Sequence, residues 1–383
     1  MRRLIPVLFV FACGDNGSNV TPDASHVDPM TDGGHMMVPR IVAVGADFQT
    51  STGTLSKVEV ENLDVTQNVR AGAASSDPVL RQQGTELFVV NRFGFNNVTI
   101  LDAKTLQLVD QISTGASSNP QDVAVVGQKL YFAALGSKGV IVIDRTTGTK
   151  TEIDLATPLG DADGQPDCVS VYAVGTKVFA ACSMQTNFKS VLDSKVAVID
   201  ATTDTYVTSA TLPYKNPFGF IQRAPEGSTF TGDLLIPLVD FGVFGDNTMP
   251  PMLTTRCVAR ISTGANLTAG CAIQNADLNG YPANMSASAD GKTLYMAIAE
   301  SFSVGKLRAY NLETGTLAAD PIGTSTTLID VAACPNGDVA VSDIATNMSG
   351  VRVYRGTTER TTSAMSIGNT PVATGLVCYD ANL

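Results

Sequence analysis

The sequence contains few side chains that could catalyse a reaction or bind a metal. The best candidate for a metal site is a short acidic segment. Asp161, Asp163 and Asp167 stand together with Gly164. Carboxylate oxygens at such spacing are the hard ligands that calcium takes. The segment lacks the full spacing of an EF-hand loop and its glutamate at the twelfth position. It is therefore a candidate calcium site, with a solvated acidic turn as the alternative, and no other cofactor is expected.

A second set of polar residues falls at corresponding places along the chain. Each ends an apolar run that is typical of the second strand in a repeated unit. If these strand ends meet at one face, the side chains line a shallow polar site. The alternative is a set of separate surface residues. The set comprises Asp47, Asn91, Asp240, Glu300 and Asp343.

Several kinds of catalysis are excluded by what the sequence lacks. The chain has two histidines, His26 and His35, and both lie in a polar N-terminal segment. Ser-His-Asp and Cys-His mechanisms therefore have no base in the folded part. There is no GxxxxGK[ST] and no GxGxxG after a strand, so the usual phosphate cradles are missing. Tryptophan is absent, which weakens a sugar-stacking site, although tyrosine and phenylalanine could substitute.

Six cysteines follow Cys13, and an even number in an exported chain indicates disulfides. Cys168 and Cys182 lie at opposite ends of an apparent hairpin, and Cys257 and Cys271 have the same separation. Each of these pairs is expected to bond within one repeat. Cys334 and Cys378 occupy matching positions in neighbouring repeats and would form the third bond. A zinc site is disfavoured because there is no CxxC and no histidine among them.

The most informative feature is internal repetition. Pairs of short runs rich in Val, Ile, Tyr and Phe end in Asp or Asn and lead into Thr-rich turns, which is typical of strands joined by tight turns. The clearest copies are Leu87–Asn91 with Val98–Asp102, Leu130–Ala133 with Val140–Asp144, and Val178–Ala181 with Val196–Asp200. A period of roughly 40 to 65 residues with four strands each predicts a β-propeller.

The number of blades follows from where the innermost strands begin. A proline stands before most of them, and a further blade begins near Leu328 without one. The prolines are Pro78, Pro120, Pro166, Pro217, Pro282 and Pro371. The last start leaves one strand before the chain ends. We therefore predict an all-β, seven-bladed propeller whose last blade combines one C-terminal strand with three N-terminal strands, near 41–46, 56–61 and 67–70.

Residues 87–102, with Ile112–Gly115 and Asn119–Val125, resemble the YVTN family of β-propeller repeats. The likeness is good over 76–213, looser over 281–368 and poor over 214–280. The family's repeat is structural, so the resemblance implies a propeller and no catalytic residue.

The first residues resemble a processing signal. Arg2 and Arg3 precede a short apolar run, and Val10–Cys13 resembles the lipobox of bacterial lipoproteins. By that resemblance residues 1–12 are a signal peptide and Cys13 carries the lipid. The alternative is an ordinary signal peptide followed by an incidental cysteine. The polar segment 13–39 is a flexible acidic tether, and 40–383 form the propeller. The expected location is the outer membrane or the cell surface, where the lipid would anchor the protein to the membrane.

Two long connections break the repeat, Ser183–Ser194 and Asp240–Thr255, and long loops in compact domains are usually functional or disordered. The second contains Phe241, Phe244, Met249 and Met252, which we expect to form an apolar rim beside the polar strand ends. The alternative is that this loop covers its own blade.

A net charge of −11 argues against nucleic acid as a partner.

These features favour a binding or scaffold module for an envelope protein or a small ligand over an enzyme. The alternative is a metal-dependent hydrolase of the lactonase type. That alternative requires acids from at least three blades to meet at the central channel.

Overall fold

The computed structural model describes most of the chain from residue 31 onward. The described residues are 31–32, 35–47, 51–187, 189–239, 255–301, 304–325, 327–345, 349–368 and 372–382. Among them, antiparallel strands dominate, and the two helices are single turns, α1 (Ala156–Leu159) and α2 (Asn275–Leu278). No helix in these ranges is long and apolar enough to span a membrane.

Five strands precede the first complete sheet. The first two pair with each other inside the segment expected to be a tether. The five are β1 (Thr31–Asp32), β2 (His35–Met36), β3 (Pro39–Asp47), β4 (Thr52–Glu59) and β5 (Asp64–Thr66).

Blades 1 to 3 are regular four-stranded antiparallel sheets, and a two-stranded ribbon interrupts blade 3. Blade 1 contains β6 (Pro78–Gln83), β7 (Glu86–Asn91), β8 (Asn97–Asp102) and β9 (Leu108–Ser113). Blade 2 contains β10 (Pro120–Val126), β11 (Lys129–Ala134), β12 (Gly139–Asp144) and β13 (Lys150–Asp154). Blade 3 contains β14 (Cys168–Val174), β15 (Lys177–Cys182), β18 (Lys195–Asp200) and β19 (Thr205–Thr211), with the ribbon β16 (Gln185–Thr186) and β17 (Lys189–Ser190).

Blades 4 to 6 keep the same strand order, but the inner strand of blade 4 and the fourth strands of blades 5 and 6 are only two residues long. Blade 4 contains β20 (Gln222–Arg223), β21 (Leu234–Val239), β22 (Arg256–Ile261) and β23 (Ala269–Ile273). Blade 5 contains β24 (Tyr281–Ala287), β25 (Thr293–Ser301), β26 (Val304–Asn311), β27 (Thr316–Leu317) and β28 (Gly323–Ser325). Blade 6 contains β29 (Leu328–Ala333), β30 (Asp338–Asp343), β31 (Gly350–Arg355) and β32 (Thr358–Glu359).

The ring closes in blade 7, which joins the two ends of the described chain. Its order is β33 (Val372–Asp380), β3, β4 and β5, with Ile41 opposite Cys378. The predicted seven-bladed propeller and its closure are confirmed. The third N-terminal strand lies at Asp64–Thr66 rather than at 67–70. Extension ends there because Asn68 takes a left-handed conformation and donates its amide to Ser56 Oγ.

Alternating apolar residues hold neighbouring blades together. Tyr131 and Leu155 of blade 2 lie in one buried cluster with Val178 and Met184 of blade 3. Because successive side chains of a strand point to opposite faces, each sheet packs against both neighbouring sheets. The core is therefore a series of interfaces between blades arranged around a central channel.

The closing Asp of each clear repeat has the structural role expected of it. Asp102 Oδ1 accepts hydrogen bonds from the Thr105 hydroxyl (2.6 Å) and amide (2.7 Å), and these bonds lower the pKa of Asp102. Asp200 makes the same contacts with Thr202. Carboxylates that accept local amide bonds start tight turns, so these acids shape the turns between outer strands.

All six cysteines after Cys13 are paired as predicted. The bonds are Cys168–Cys182, Cys257–Cys271 and Cys334–Cys378, with Cα separations of 3.7, 5.8 and 4.9 Å. The third bond fastens blade 6 to blade 7 beside the point of closure. Disulfides persist in oxidising compartments, so the three bonds indicate an exported protein.

Candidate functional site

Polar side chains at the innermost strands connect one blade to the next. Most of them stand directly after a one-residue bulge near the start of an innermost strand. The exception is an arginine on the innermost strand of blade 1, which contacts one of these residues from the neighbouring blade. We call this set the inner belt. It consists of Arg81, Asp122, Ser170, Asn284 and Asp330.

Asp122 is the most heavily bonded member of the inner belt. Its carboxylate is fully buried and accepts Arg81 Nε at 2.5 Å and Nη2 at 2.9 Å. Ser170 Oγ (2.6 Å) and the Val171 amide (3.0 Å) donate to it from blade 3. The Val123 amide donates from its own strand. A buried charge is tolerated only when it is paired and hydrogen-bonded, so Asp122 ties blades 1, 2 and 3 together.

Asp330 has the same role on the opposite side of the ring. It is buried, and its carboxylate accepts the Leu376 amide of blade 7 at 2.8 Å and the Val331 amide at 2.8 Å. Asn284 Nδ2 donates to it from blade 5. Burial raises the pKa of Asp330 to about 7, against the lowering effect of these hydrogen bonds. Asp330 thus links three consecutive blades, as Asp122 does.

The central channel contains a cavity of about 360 Å³, and Arg81, Asn284 and Asp330 of the inner belt are among its lining residues. The Arg81 guanidinium lies 4.2 Å from the ring centroid of Phe220, which reaches across from blade 4. Gln83 bonds Val123 O and the Val125 amide, and Ser286 Oγ accepts the Ala333 amide. Arg81, Gln83 and Ser286 thus join neighbouring inner strands.

A second concavity lies on the face that carries the connections between second and third strands and those between blades, for example 92–96 and 114–119. We call this the loop face. The concavity, which we call the groove, occupies about 660 Å³ between blades 7 and 1. Its lining residues come mainly from 51–54, 68–75 and 91–97. The polar side chains of the lining are Asp47, Ser51, Thr52, Thr54, Asn68, Ser75, Asn91, Asn97 and Gln111.

Asn91 organises the groove. Its Oδ1 accepts the Ser75 amide at 2.8 Å, and its Nδ2 donates to Ala73 O at 3.1 Å and to Asn97 Oδ1 at 2.8 Å. Gly53 lies so close to Ser75 that a Cβ atom there would fall 1.9 Å from Ser75 O. The buried Ser75 Oγ has no hydrogen-bond partner among the described residues. The groove is thus built tightly at its floor.

Exposed apolar side chains lie at the groove and at other connections of the loop face. Phe93 is 73% exposed and Phe95 is 42% exposed, and Phe95 lines the groove. Val191 and Leu192, in the connection Ser183–Ser194, are also exposed. Phe218 stands edge-on to Tyr281 with a centroid separation of 6.4 Å. Sequence reasoning missed Phe93 and Phe95, although two phenylalanines in a turn after a strand-ending Asn were a usable signal.

The predicted strand-end residues separate into two groups. Asp47 and Asn91 both line the groove. Glu300 instead pairs with Lys306 at 2.7 Å in its own blade. Asp343 is buried and pairs with Arg352 at 2.6 Å. The loop face thus brings two of the set together. Glu300 and Asp343 are instead held by ion pairs of their own blades, and Asp343 also accepts the Ser325 hydroxyl of blade 5 at 2.6 Å.

The apolar loop predicted to rim the site lies outside the described residues. This applies to Asp240, Phe241, Phe244, Met249 and Met252. Cys13 also lies outside them. These expectations therefore stay predictions.

The acidic segment between blades 2 and 3 forms a local turn. Asp161 Oδ2 accepts the amides of Gly164 (2.8 Å) and Gln165 (2.9 Å), and Asp163 Oδ1 accepts the Gln165 amide. Burial, followed by contact with Asp163, raises the pKa of Asp161. Burial raises the pKa of Asp167 to about 7. The part of the chain described contains no group of three or more Asp, Glu, His or Cys placed to hold a metal.

Solved structures share the fold, whereas no protein-family model and no curated protein matches the chain. One is a Bacteroides fragilis protein provisionally assigned as a 6-phosphogluconolactonase, at 13% identity over 90% of this chain and 98% of that one, with a TM-score of 0.60. The Cps50 (Swd1) β-propeller domain of Myceliophteria thermophila is 12% identical over 79% and 92%, with a TM-score of 0.57. Apo AztD from Citrobacter koseri is 8% identical over 89% and 98%, with a TM-score of 0.51. At such identities the similarity shows the fold alone.

Proposed function

We propose that the protein is a binding module of the cell envelope and that the groove with its phenylalanine rim is the binding site. The observation that carries this proposal is the exposed Phe95 in the lining of a polar concavity, with the exposed Phe93 two residues away in the same connection. Exposed aromatic side chains next to a polar pocket are characteristic of surfaces that bind a partner or ligand. The loop face is also the face on which the two long connections were expected to act.

The channel supports a binding function less well than the groove does. Arg81, Asp330 and Gln83 of its lining already bond to neighbouring strands, so a ligand would have to displace those bonds. The hydrolase alternative required acids from three blades within metal-binding distance. In the inner belt, the described acids are Asp122 and Asp330, and each is occupied by amide or guanidinium donors. No observation favours a hydrolase over a binding module.

Anchoring through Cys13 is part of the same proposal. The three disulfides support export, and Val10–Cys13 resembles a lipobox. Labelling with a fatty-acid analogue should mark the wild type and fail to mark Cys13→Ala. Equal labelling of the two proteins would contradict the anchor. The likeness of blades 1 to 3 to YVTN repeats belongs to the proposal in the same way.

The binding site is tested by capture from detergent-solubilised envelopes. Phe93→Ser with Phe95→Ser should reduce partner capture by at least about tenfold, because two aromatic side chains that the partner would cover in the complex are removed. The matched control is Leu108→Ser with Val109→Ser, which removes two side chains about half exposed (49% and 50%) on the outer strand of the same blade. Equal capture by both double variants would refute the site. So would a loss of stability confined to the phenylalanine variant.

A further inference from the structure

The groove has a chemical character that narrows its ligand. Most of the side chains that line it carry hydroxyl or amide groups, and the described lining residues include no lysine or arginine. Its one carboxylate, Asp47, already has a partner within the protein. Anionic ligands such as phosphates and carboxylates are usually held by basic side chains. The groove is thus suited to a ligand that is uncharged and rich in hydrogen-bonding groups.

The second feature is the position of the phenylalanine rim. Phe95 lines the groove, and Asn97 Nδ2 donates to its carbonyl oxygen at 3.4 Å. Gln111 is exposed and donates Nε2 to Thr99 Oγ1 at 2.9 Å, which leaves its Oε1 facing no described donor. An aromatic face beside amide groups offers an apolar surface and paired donors and acceptors within one site.

We propose that the groove binds a neutral saccharide. Each sugar hydroxyl is both donor and acceptor, which matches the amides of Asn68 and Gln111 and the hydroxyls around them. The C–H face of a pyranose ring would lie on Phe95, which lines the groove and is 42% exposed. A volume of about 660 Å³ falls within the range of small-molecule sites, so we expect a short oligosaccharide rather than a long polysaccharide chain as the ligand. This inference rests on the proposed function and names its ligand class.

The chain has no tryptophan, so one introduced tryptophan is a selective reporter. Phe95→Trp keeps the aromatic face and should respond in emission to at least one neutral di- or trisaccharide of glucose, galactose, mannose or N-acetylglucosamine. Gln111→Ala in the same background should weaken that saccharide by about fivefold, the effect of one hydrogen bond. The control reporter is Val207→Trp on β19, where the side chain is 55% exposed and far from the groove in the fold. It should not respond.

Calorimetry of the wild type with the same saccharides guards against a variant that fails to fold. The inference is overturned if no neutral saccharide of the panel binds, if both reporters respond alike, or if only a glucuronate oligomer or an extended peptide binds. Capture that depends on Phe93 and Phe95 without saccharide binding would overturn the ligand class and leave the proposed function standing. If neither phenylalanine-dependent capture nor saccharide binding is found, the proposed function and the ligand class are both overturned.

Discussion

The inner belt and the groove are built from similar side chains that are put to different uses. Both contain aspartate, asparagine and hydroxyl groups, and both lie between blades. In the inner belt the polar atoms meet donors and acceptors of the neighbouring strand, as Asp122 meets Arg81 and Ser170. In the groove, Asn91 organises the floor, while Gln111 and Phe95 stand exposed. In this propeller, polar residues with complete partners are architecture, and exposed ones beside aromatic rings are the binding surface.

The largest expected effect concerns Asp122. Asp122→Ala would leave the Arg81 guanidinium and three further donors without their acceptor in a buried site. We expect a loss of about 3–5 kcal/mol in the free energy of unfolding, measured with urea, because an uncompensated buried charge is that costly. Gln111→Ala in the groove is the control and should stay within about 0.5 kcal/mol of the wild type. Equal losses in both variants would remove the distinction between belt and groove.

An intermediate effect concerns the pH dependence of stability. Burial raises the pKa of Asp330 from 3.8 to about 7, so between these values the folded state holds a proton that the unfolded state releases. Stability from this group is full below about pH 4 and is lost as the pH rises through 7. Asp330→Asn should reduce the difference in unfolding free energy between pH 5 and pH 8 by about 2 kcal/mol.

Asp167 shifts in the same direction, with its pKa also raised to about 7. The comparison of wild type with Asp330→Asn therefore isolates one group. Identical pH profiles for the two proteins would show that Asp330 stays ionised in the folded state at pH 5. The same buffers applied to Asp167→Asn should give a change of the same sign, so the two variants together assign the titration to particular carboxyls.

The smallest effect is expected on stability at the rim. Phe93 and Phe95 are exposed, so Phe93→Ser with Phe95→Ser should change the free energy of unfolding by no more than about 0.5 kcal/mol. Thermal or urea unfolding measures this change. A loss of several kcal/mol would mean that the two rings pack in the fold and do not form a free surface.

The sequence predicted the architecture well because the repeat determines it. Short alternating runs ending at Asp102, Asp144 and Asp200 specify strands and turns locally, and the cysteine spacing matches the three bonds. The sequence analysis did not identify the inner belt, because Asp122 and Asp330 resemble any other polar residue near the start of a strand. The available signal in the sequence was a polar residue that recurs near the start of otherwise apolar inner strands, as at Asp122, Asn284 and Asp330.

The groove was predicted only in part, for a physical reason. Asp47 and Asn91 were selected as strand ends, but their meeting depends on how blade 7 closes against blade 1, a contact between distant parts of the chain. Glu300 and Asp343 have the same place in their blades and yet pair locally, because Lys306 and Arg352 stand on the adjacent strand. Position within a repeat therefore does not determine a residue's partners.

The most direct test of the distinction between groove and channel is site-specific photocrosslinking in intact cells. Benzoyl-phenylalanine replaces Phe95 in the groove in one sample and Tyr172, an aromatic residue lining the channel cavity, in the other. We predict crosslinked product from position 95 and none from position 172, since the bound partner contacts the loop face. Product from position 172 with none from position 95 would place binding in the channel and contradict the account.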